Sequence, residues 1–370
     1  MFERLPSPRI LLGPGPSNVS PRVLGALAKP PIGYLDPELF MLLEEIRENL
    51  RHVFGTKNHC TFPLTGTGMA GMECCLVNLI EPGDQVVIGV NGFFGLRMVE
   101  IAKRLGAIVT QVDAEWGKTI EPNLIGSALK SLSGVKLVGC VHAETSTGVR
   151  TSLKEIGRLA HEAGALFLAD AVTSLGGISV KIDENEVDAC YSATQKCVGA
   201  PPGLSPVTFS PRALEVVSKR KSAVPNWYFD LKLLMDYFDG AHLYHHTVPV
   251  NLYYAIAEAL DEILEEGLEA RYLRHEAVSA RLISGLDELD IHPFAQENYR
   301  LPTLNSVSIP KSVTDEMAIR KRLLSDFGLE IGGGLGELKG KIWRIGTMGA
   351  SATHRNVVMA LAALGEILSD

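Results

Sequence analysis

Three side chains and one turn in this 370-residue chain have types and settings suited to chemistry. The turn Gly66-Thr67-Gly68-Met69-Ala70-Gly71 matches G-x-G-x-x-G. A dinucleotide site would need an acid about 20 residues further on, at the end of the next strand. Here that strand, DQVVIGV, ends in Val90-Asn91-Gly92, and Asp84 precedes it. What remains is a helix start whose free N–H groups suit a phosphate, or equally a tight turn into a buried helix. Asp170, in ALFLADAVTSLGG, stands just past an apolar run, at the carboxyl end of a strand where ligands bind, although Asp there also serves as an N-cap. Lys196, in YSATQKCVGAPPG, lies between a β-like run and a Gly/Pro turn. A half-buried lysine has a lowered pKa and forms Schiff bases; a lone loop lysine is more often simply solvated. Arg344, in KIWRIGTMG, sits inside an apolar strand and needs an anion, either a protein carboxylate or that of a substrate.

Two further features are weaker. Phe94, in NGFFG, can lie over a flat ring or pack into a core. His245 and His246 are adjacent, so their rings diverge, and no Cys/His/acid cluster supports them; no metal site is expected. Taken in order, the set is a phosphate-type turn, an aromatic, an Asp, a Lys 26 residues after it (170 to 196) and a C-terminal Arg. Asp, Lys and an anion site are the parts that pyridoxal phosphate needs: a Schiff-base amine, a partner for the pyridine nitrogen and a phosphate cradle.

The elements that must position these residues follow from hydrophobic period. Asp36–Phe54 repeats apolar residues at helical spacing, with Pro37 at its start and Gly55 at its end. Strands are expected over 61–64, 85–90, 107–112, 136–141, 165–169, 189–192 and 206–210. Helices are expected over 69–80, 95–105, 123–132 and 153–163. Runs such as Leu166-Phe167-Leu168 lack polar alternation and read as strands covered on both faces. Alternation of strand and helix implies an α/β fold with a mainly parallel sheet. After Pro249 the chain turns helical and charge-rich over 252–289, then mixed, with short strands at 306–309, 330–331 and 342–344. Three parts are therefore expected: an arm over 1–19, a large domain over 20–255 and a small α+β domain over 256–370.

Composition limits the alternatives. Hydrophobic residues at 46% and charged residues at 21% exclude a disordered chain. A net charge of −8 argues against a general nucleic-acid binder. No 18-residue apolar run is present, so no membrane span is expected. The six cysteines form no C-x-x-C pair, which suits reduced, buried thiols in a cytoplasmic protein.

At this level the sequence resembles the alanine–glyoxylate and serine–pyruvate aminotransferases, class V of the fold-type I pyridoxal-phosphate enzymes. The likeness runs in order through LLGPGPSNV, EPGDQVVIGVNGFFG, HAETSTGV, ADAVTSLGG, SATQKCVGAPPG, YHHTVPV and EIGGGLGELKGKIWRIG. It implies a seven-stranded, mainly parallel sheet in the large domain and pyridoxal 5′-phosphate as cofactor. By the same resemblance Lys196 would form the Schiff base and Asp170 would pair with the ring nitrogen. Val172 and Phe94 would pack on the two ring faces, the latter where relatives often carry Trp. Thr145 would reach the ring hydroxyl, and Thr67, Gly68, Met69 and Gln195 would hold the phosphate. Tyr244 and Thr247 would come from the neighbouring subunit of a homodimer with shared sites. Arg344 would bind the substrate carboxylate, with Ser174 as a further contact, and Gly33 and Tyr34 would approach the substrate side chain. The implied reaction moves an amino group from alanine or serine to glyoxylate or pyruvate by ping-pong kinetics. Rivals are a pyridoxamine–pyruvate or aspartate–glyoxylate aminotransferase, a cysteine-desulfurase-like lyase and, remotely, a nicotinamide-dependent dehydrogenase.

Overall fold

The computed structural model describes residues 7–369. Its larger unit begins with helices α1 (Pro21–Leu27) and α2 (Pro37–Phe54). Asp36 caps α2, its Oδ1 accepting the Glu38 N–H at 2.9 Å, and Gly55 ends it at φ +67°, where a side chain would be strained. With strand β1 (Ile10–Leu11) in the arm, the strands that follow are β2 (Cys60–Thr65), β3 (Gln85–Val90), β4 (Ile108–Asp113), β5 (Val135–Val141), a hairpin of β6 (Ala143–Glu144) and β7 (Val149–Arg150), β8 (Leu166–Asp170), β9 (Ala189–Tyr191) and β10 (Leu204–Phe209). Between and after them lie α3 (Gly68–Leu79), α4 (Phe93–Arg104), α5 (Pro122–Ser131), α6 (Leu153–Glu162), α7 (Pro211–Ser218), α8 (Leu231–Phe238) and α9 (Val250–Glu266).

Seven strands form one sheet in the order β2-β10-β9-β8-β5-β3-β4. The sheet is mainly parallel, as expected; β10 alone runs against both its neighbours. The apolar runs of β5 and β8 are buried on both faces, which explains their lack of alternation. The consequence for function is geometric. The segments after β2, β3, β8 and β9 all leave the same edge of the sheet, and these segments carry Gly68, Phe94, Val172 and Lys196.

The smaller unit holds α10 (Leu268–Asp287), β11 (Leu304–Ser308), α11 (Glu316–Phe327), β12 (Leu329–Glu330), β13 (Gly332–Gly333), β14 (Ile342–Gly346) and α12 (His354–Ser369). Strands β11, β14 and β13 form an antiparallel sheet. One expectation changes here. The helix read over 252–289 is two helices, broken at Gly267, whose φ of +79° leaves the helical region. The buried side chains of α9 from Tyr253 to Ile263 pack in the larger core. In the arm, β1 pairs with β12, and Leu12 packs into the smaller core.

Candidate active site

Asp170 ends β8, and its carboxyl is almost fully buried. Oδ1 accepts the Val172 N–H at 2.8 Å, and Oδ2 accepts the Tyr191 hydroxyl at 2.8 Å. Burial pushes its pKa up to about 7, against the lowering effect of both hydrogen bonds. No ion pair reaches it among the described residues. A carboxylate held this way lacks a cation, which a protonated ring nitrogen would supply.

Lys196 follows β9 on the single turn Thr194–Val198, where its own backbone leaves helical geometry (φ −107°, ψ −129°). Its Nζ donates to the Pro14 carbonyl of the arm. Burial, with the positive charge of Arg344 as the next cause, lowers its pKa to about 8. Gly15 lies so close that a Cβ there would stand 2.5 Å from Nζ.

A cavity of about 120 Å³ joins these groups, lined by Thr67, Gly68, Met69, Met72, Phe94, Asp170, Val172, Tyr191, Gln195 and Lys196. At one end is the start of α3: Gly66 adopts φ +134°, and Thr67 stands as N-cap without using its side chain. The early α3 amides therefore face an open position, as an anion requires. Gln195 Oε1 is buried without a hydrogen-bond partner among the described residues. This orphaned atom, the α3 amides and the uncompensated Asp170 fit pyridoxal phosphate at its phosphate and nitrogen ends.

Arg344 lies in β14, opposite Ser306 and Gly332, and is buried. Its Nε donates to Gly333 O at 2.7 Å and its Nη1 to Thr145 O at 3.2 Å. It forms no ion pair among the described residues, and burial lowers its pKa to about 10. No protein carboxylate pairs with Arg344 among the described residues; its Nε and Nη1 are held by carbonyls.

Some expected residues are placed differently. The Thr145 hydroxyl shares a hydrogen bond with Thr173 at 2.5 Å. Ser174 is fully buried, and its hydroxyl meets His142 Nδ1 at 3.0 Å, so it does not line the cavity. Gly33, Tyr34 and Thr247 line a separate cavity of about 340 Å³, and Tyr244, 59% exposed, sets its ring 5.0 Å from that of Tyr34. None of these four reaches Lys196 within the chain. His245 and His246 meet at 2.7 Å through their Nδ1 atoms, and His246 Nε2 lies 2.8 Å from Thr65 Oγ1.

Two supporting residues had no sequence signal of their own. Tyr191 becomes Asp170's neighbour only through β8–β9 pairing. Glu144, inside HAETSTGV, is fully buried, and its carboxylate accepts the N–H groups of Phe94 and Gly95 at 3.2 Å. It also takes the Ser146 hydroxyl at 2.6 Å, so a buried carboxylate anchors the start of α4 that carries Phe94.

The fold and this site define a fold-type I, pyridoxal-phosphate-dependent transaminase. Residues 34–334 match the family model for class V aminotransferases. The chain is 39% identical to the (S)-ureidoglycine–glyoxylate transaminase of Bacillus subtilis, over 97% of this chain and 90% of that one. It is 37% identical to an alanine–glyoxylate aminotransferase of Drosophila melanogaster, covering 98% and 93%. The crystal structure of an alanine–glyoxylate aminotransferase from Nostoc sp. superposes with a TM-score of 0.97 at 44% identity, covering 100% and 97%. The chain belongs to the class V aminotransferase family.

Proposed function

We propose that the protein moves the amino group of a small L-amino acid, alanine or serine, to glyoxylate or pyruvate. The observation that carries this is Arg344: a buried guanidinium that pairs with no carboxylate among the described residues, close enough to Lys196 to lower that amine's pKa. An amino acid offers the matching carboxylate beside an amine. When bound, the cofactor supplies an aldehyde that exchanges amines and a ring that takes up electron density.

The chain's residues do the rest. The amides of Thr67, Gly68 and Met69, with Gln195, would hold the phosphate. Val172 and Phe94 would confine the ring, and Asp170, whose carboxylate Tyr191 fixes, would accept a hydrogen bond from its nitrogen. Thr145 can accept from the Thr173 hydroxyl and still donate its own proton toward the ring hydroxyl. Lys196, at a pKa of about 8, would take the α-proton at Nζ and hold it for return. Arg344 orients the substrate through its carboxylate. Ser174 serves better as support for His142 than as a substrate contact. A small donor suits walls made by Gly15 beside Lys196 and by Gly333 against Arg344.

The same reading includes a cytoplasmic homodimer. Tyr244 and Thr247 lie outside the chain's own Lys196 cavity, together with Gly33 and Tyr34, and so are free to complete a partner's site. Trp227, Leu243, Tyr244 and Met41 are all exposed by more than half, an apolar load that suits an interface. No helix among the described residues is long and apolar enough to cross a membrane. A desulfurase chemistry is disfavoured because all six cysteines are buried, with thiol pKa values pushed up by burial. Membership of the aminotransferase family replaces the dehydrogenase reading of the G-x-G-x-x-G turn.

A donor panel tests this. Alanine, serine, aspartate, glutamate, pyridoxamine and (S)-ureidoglycine are each offered with glyoxylate, pyruvate and 2-oxoglutarate. Alanine or serine with glyoxylate or pyruvate should lead in kcat/KM. Faster turnover of aspartate, pyridoxamine or (S)-ureidoglycine would overturn the donor assignment.

A further inference from the structure

The three carbonyls around Lys196 are each held from outside its own turn. Gln195 O accepts the Ser17 N–H at 2.9 Å, and Lys196 O accepts the Ser17 hydroxyl at 2.9 Å. Cys197 O accepts Arg271 Nη2 at 2.8 Å. Ser17 belongs to the arm; Arg271 stands in the first turns of α10, in the smaller unit. The lysine turn is thus gripped by two segments remote from it in sequence.

Arg271 grips more than this turn. Its Nε donates to Gly176 O at 2.8 Å, in the loop that runs on from Asp170 and Val172. Its Nη1 pairs with Glu266 at 2.7 Å. Glu266, the last residue of α9, also pairs with Arg274 at 2.5 Å. Arg274 in turn donates to the carbonyls of Gly349 and Ala352 at 3.1 and 2.8 Å, just past the strand of Arg344. The left-handed break at Gly267 turns α9 into α10 and brings these three charges together.

The arrangement is costly unless it is satisfied. Arg271 is only 6% exposed, and a buried guanidinium must be fully partnered. One carboxylate and two carbonyls occupy its planar fork, which a flexible lysine cannot imitate. Both carbonyls belong to loops that bear reacting or cofactor-holding side chains.

We infer that Arg271 is a positioning residue for the transamination: it ties the Lys196 turn to the Asp170 loop through Cys197 O and Gly176 O, with Glu266 as counter-ion. The inference rests on Lys196 being the reactive amine, which Lys196→Ala tests separately by abolishing the absorbance of the lysine-linked cofactor.

The test uses wild type, Arg271→Gln, Arg271→Lys and Glu266→Gln. The first readout is the pH profile of Lys196 acetylation by acetic anhydride in cofactor-free protein, followed by peptide mass. A loosened turn admits water, so the labelling midpoint should rise toward the ordinary lysine range by about half a pH unit or more in both Arg271 variants. The second readout is steady-state kinetics of the holoenzyme. In Arg271→Gln, kcat should fall about tenfold to a hundredfold while KM for the amino donor stays within about twofold. Arg271→Lys should recover part of kcat, and Glu266→Gln, which keeps both carbonyl contacts, should lose less than Arg271→Gln. Loss of thermal stability with an unchanged midpoint and kcat would reduce Arg271 to a structural residue and overturn the inference. If Arg271→Gln does not fold, the Arg271→Lys midpoint decides by the same criterion.

Discussion

The Tyr191 hydroxyl donates to Asp170 Oδ2 at 2.8 Å from the adjacent parallel strand, so the carboxylate enters the site already aimed. The bond stabilises the ionised form in a place where burial opposes it. Tyr191→Phe keeps the ring's packing and removes only this donor. Hydrogen bonds to charged groups contribute about 1.5–3 kcal/mol, so cofactor affinity should fall by roughly tenfold to a hundredfold. Equilibrium titration of cofactor absorbance measures this, and unchanged affinity would show that Val172 N–H suffices.

The raised pKa of Asp170 makes cofactor-free stability depend on pH with a defined sign. Its folded value of about 7 lies above the ordinary 3.8, so the folded chain binds the extra proton between these limits. Its contribution is fully present below pH 3.8 and is lost as pH rises toward 7. Asp170→Asn removes that slope. Urea unfolding of both cofactor-free proteins across pH 4–7 should converge at the acid end. At neutral pH the variant should be the more stable, by on the order of a few kcal/mol. Parallel curves would mean that Asp170 is not the buried acid described.

Arg344 predicts a trade between stability and activity. A buried cation that has two carbonyl partners but pairs with no carboxylate among the described residues costs folding energy, so Arg344→Met should raise the melting temperature of the substrate-free protein. Its loss should lower kcat/KM for the amino donor about a hundredfold or more, because the substrate carboxylate loses a buried partner. Arg344→Lys keeps the charge without the fork and should fall between. Removing the positive charge also lets Lys196 titrate higher, since Arg344 is among the causes of its lowered value. Calorimetry and kinetics on one preparation would check both signs; a variant less stable and still active would contradict them.

How much of this was legible in the sequence depends on how local each feature is. Helix α2 announces itself through Asp36, Pro37 and Gly55, and β3 through QVVIGV, because caps and apolar runs are properties of neighbouring residues. Asp170, Lys196 and Arg344 were legible because each stands in a setting that its type makes expensive. The support around them was not. Tyr191 reaches Asp170, and Arg271 reaches Cys197, only once strands pair and α10 docks. The break at Gly267 was hidden because a charged, helical pattern continues on both sides of one glycine. Gly33, Tyr34, Tyr244 and Thr247 share a face in the single chain rather than joining the Lys196 cavity, a relation that no spacing along the sequence expresses.

Gly15 offers a test of how tightly the arm confines the lysine. It adopts φ +111°, outside the range that L side chains favour, and a Cβ there would stand 2.5 Å from Lys196 Nζ and 2.7 Å from its Cδ. Gly15→Ala therefore meets two costs, backbone strain and a collision with the far end of a side chain. The lysine can give way only by moving its amine, which the Pro14 carbonyl now receives. Backbone strain of this kind is about 1–3 kcal/mol, within what a two-core chain of this size tolerates, so the variant should fold. Its amine would then be displaced from the position that reaches the cofactor. The absorbance of the lysine-linked cofactor should weaken or shift, and kcat should fall by about a hundredfold, the cost of a displacement near 1 Å. Gly13→Ala, whose Cβ would meet nothing closer than Glu330 at 3.4 Å, serves as the control on the same arm and should retain both signals. Equal loss in the two variants would mean that the arm's fold matters and the contact with Lys196 does not.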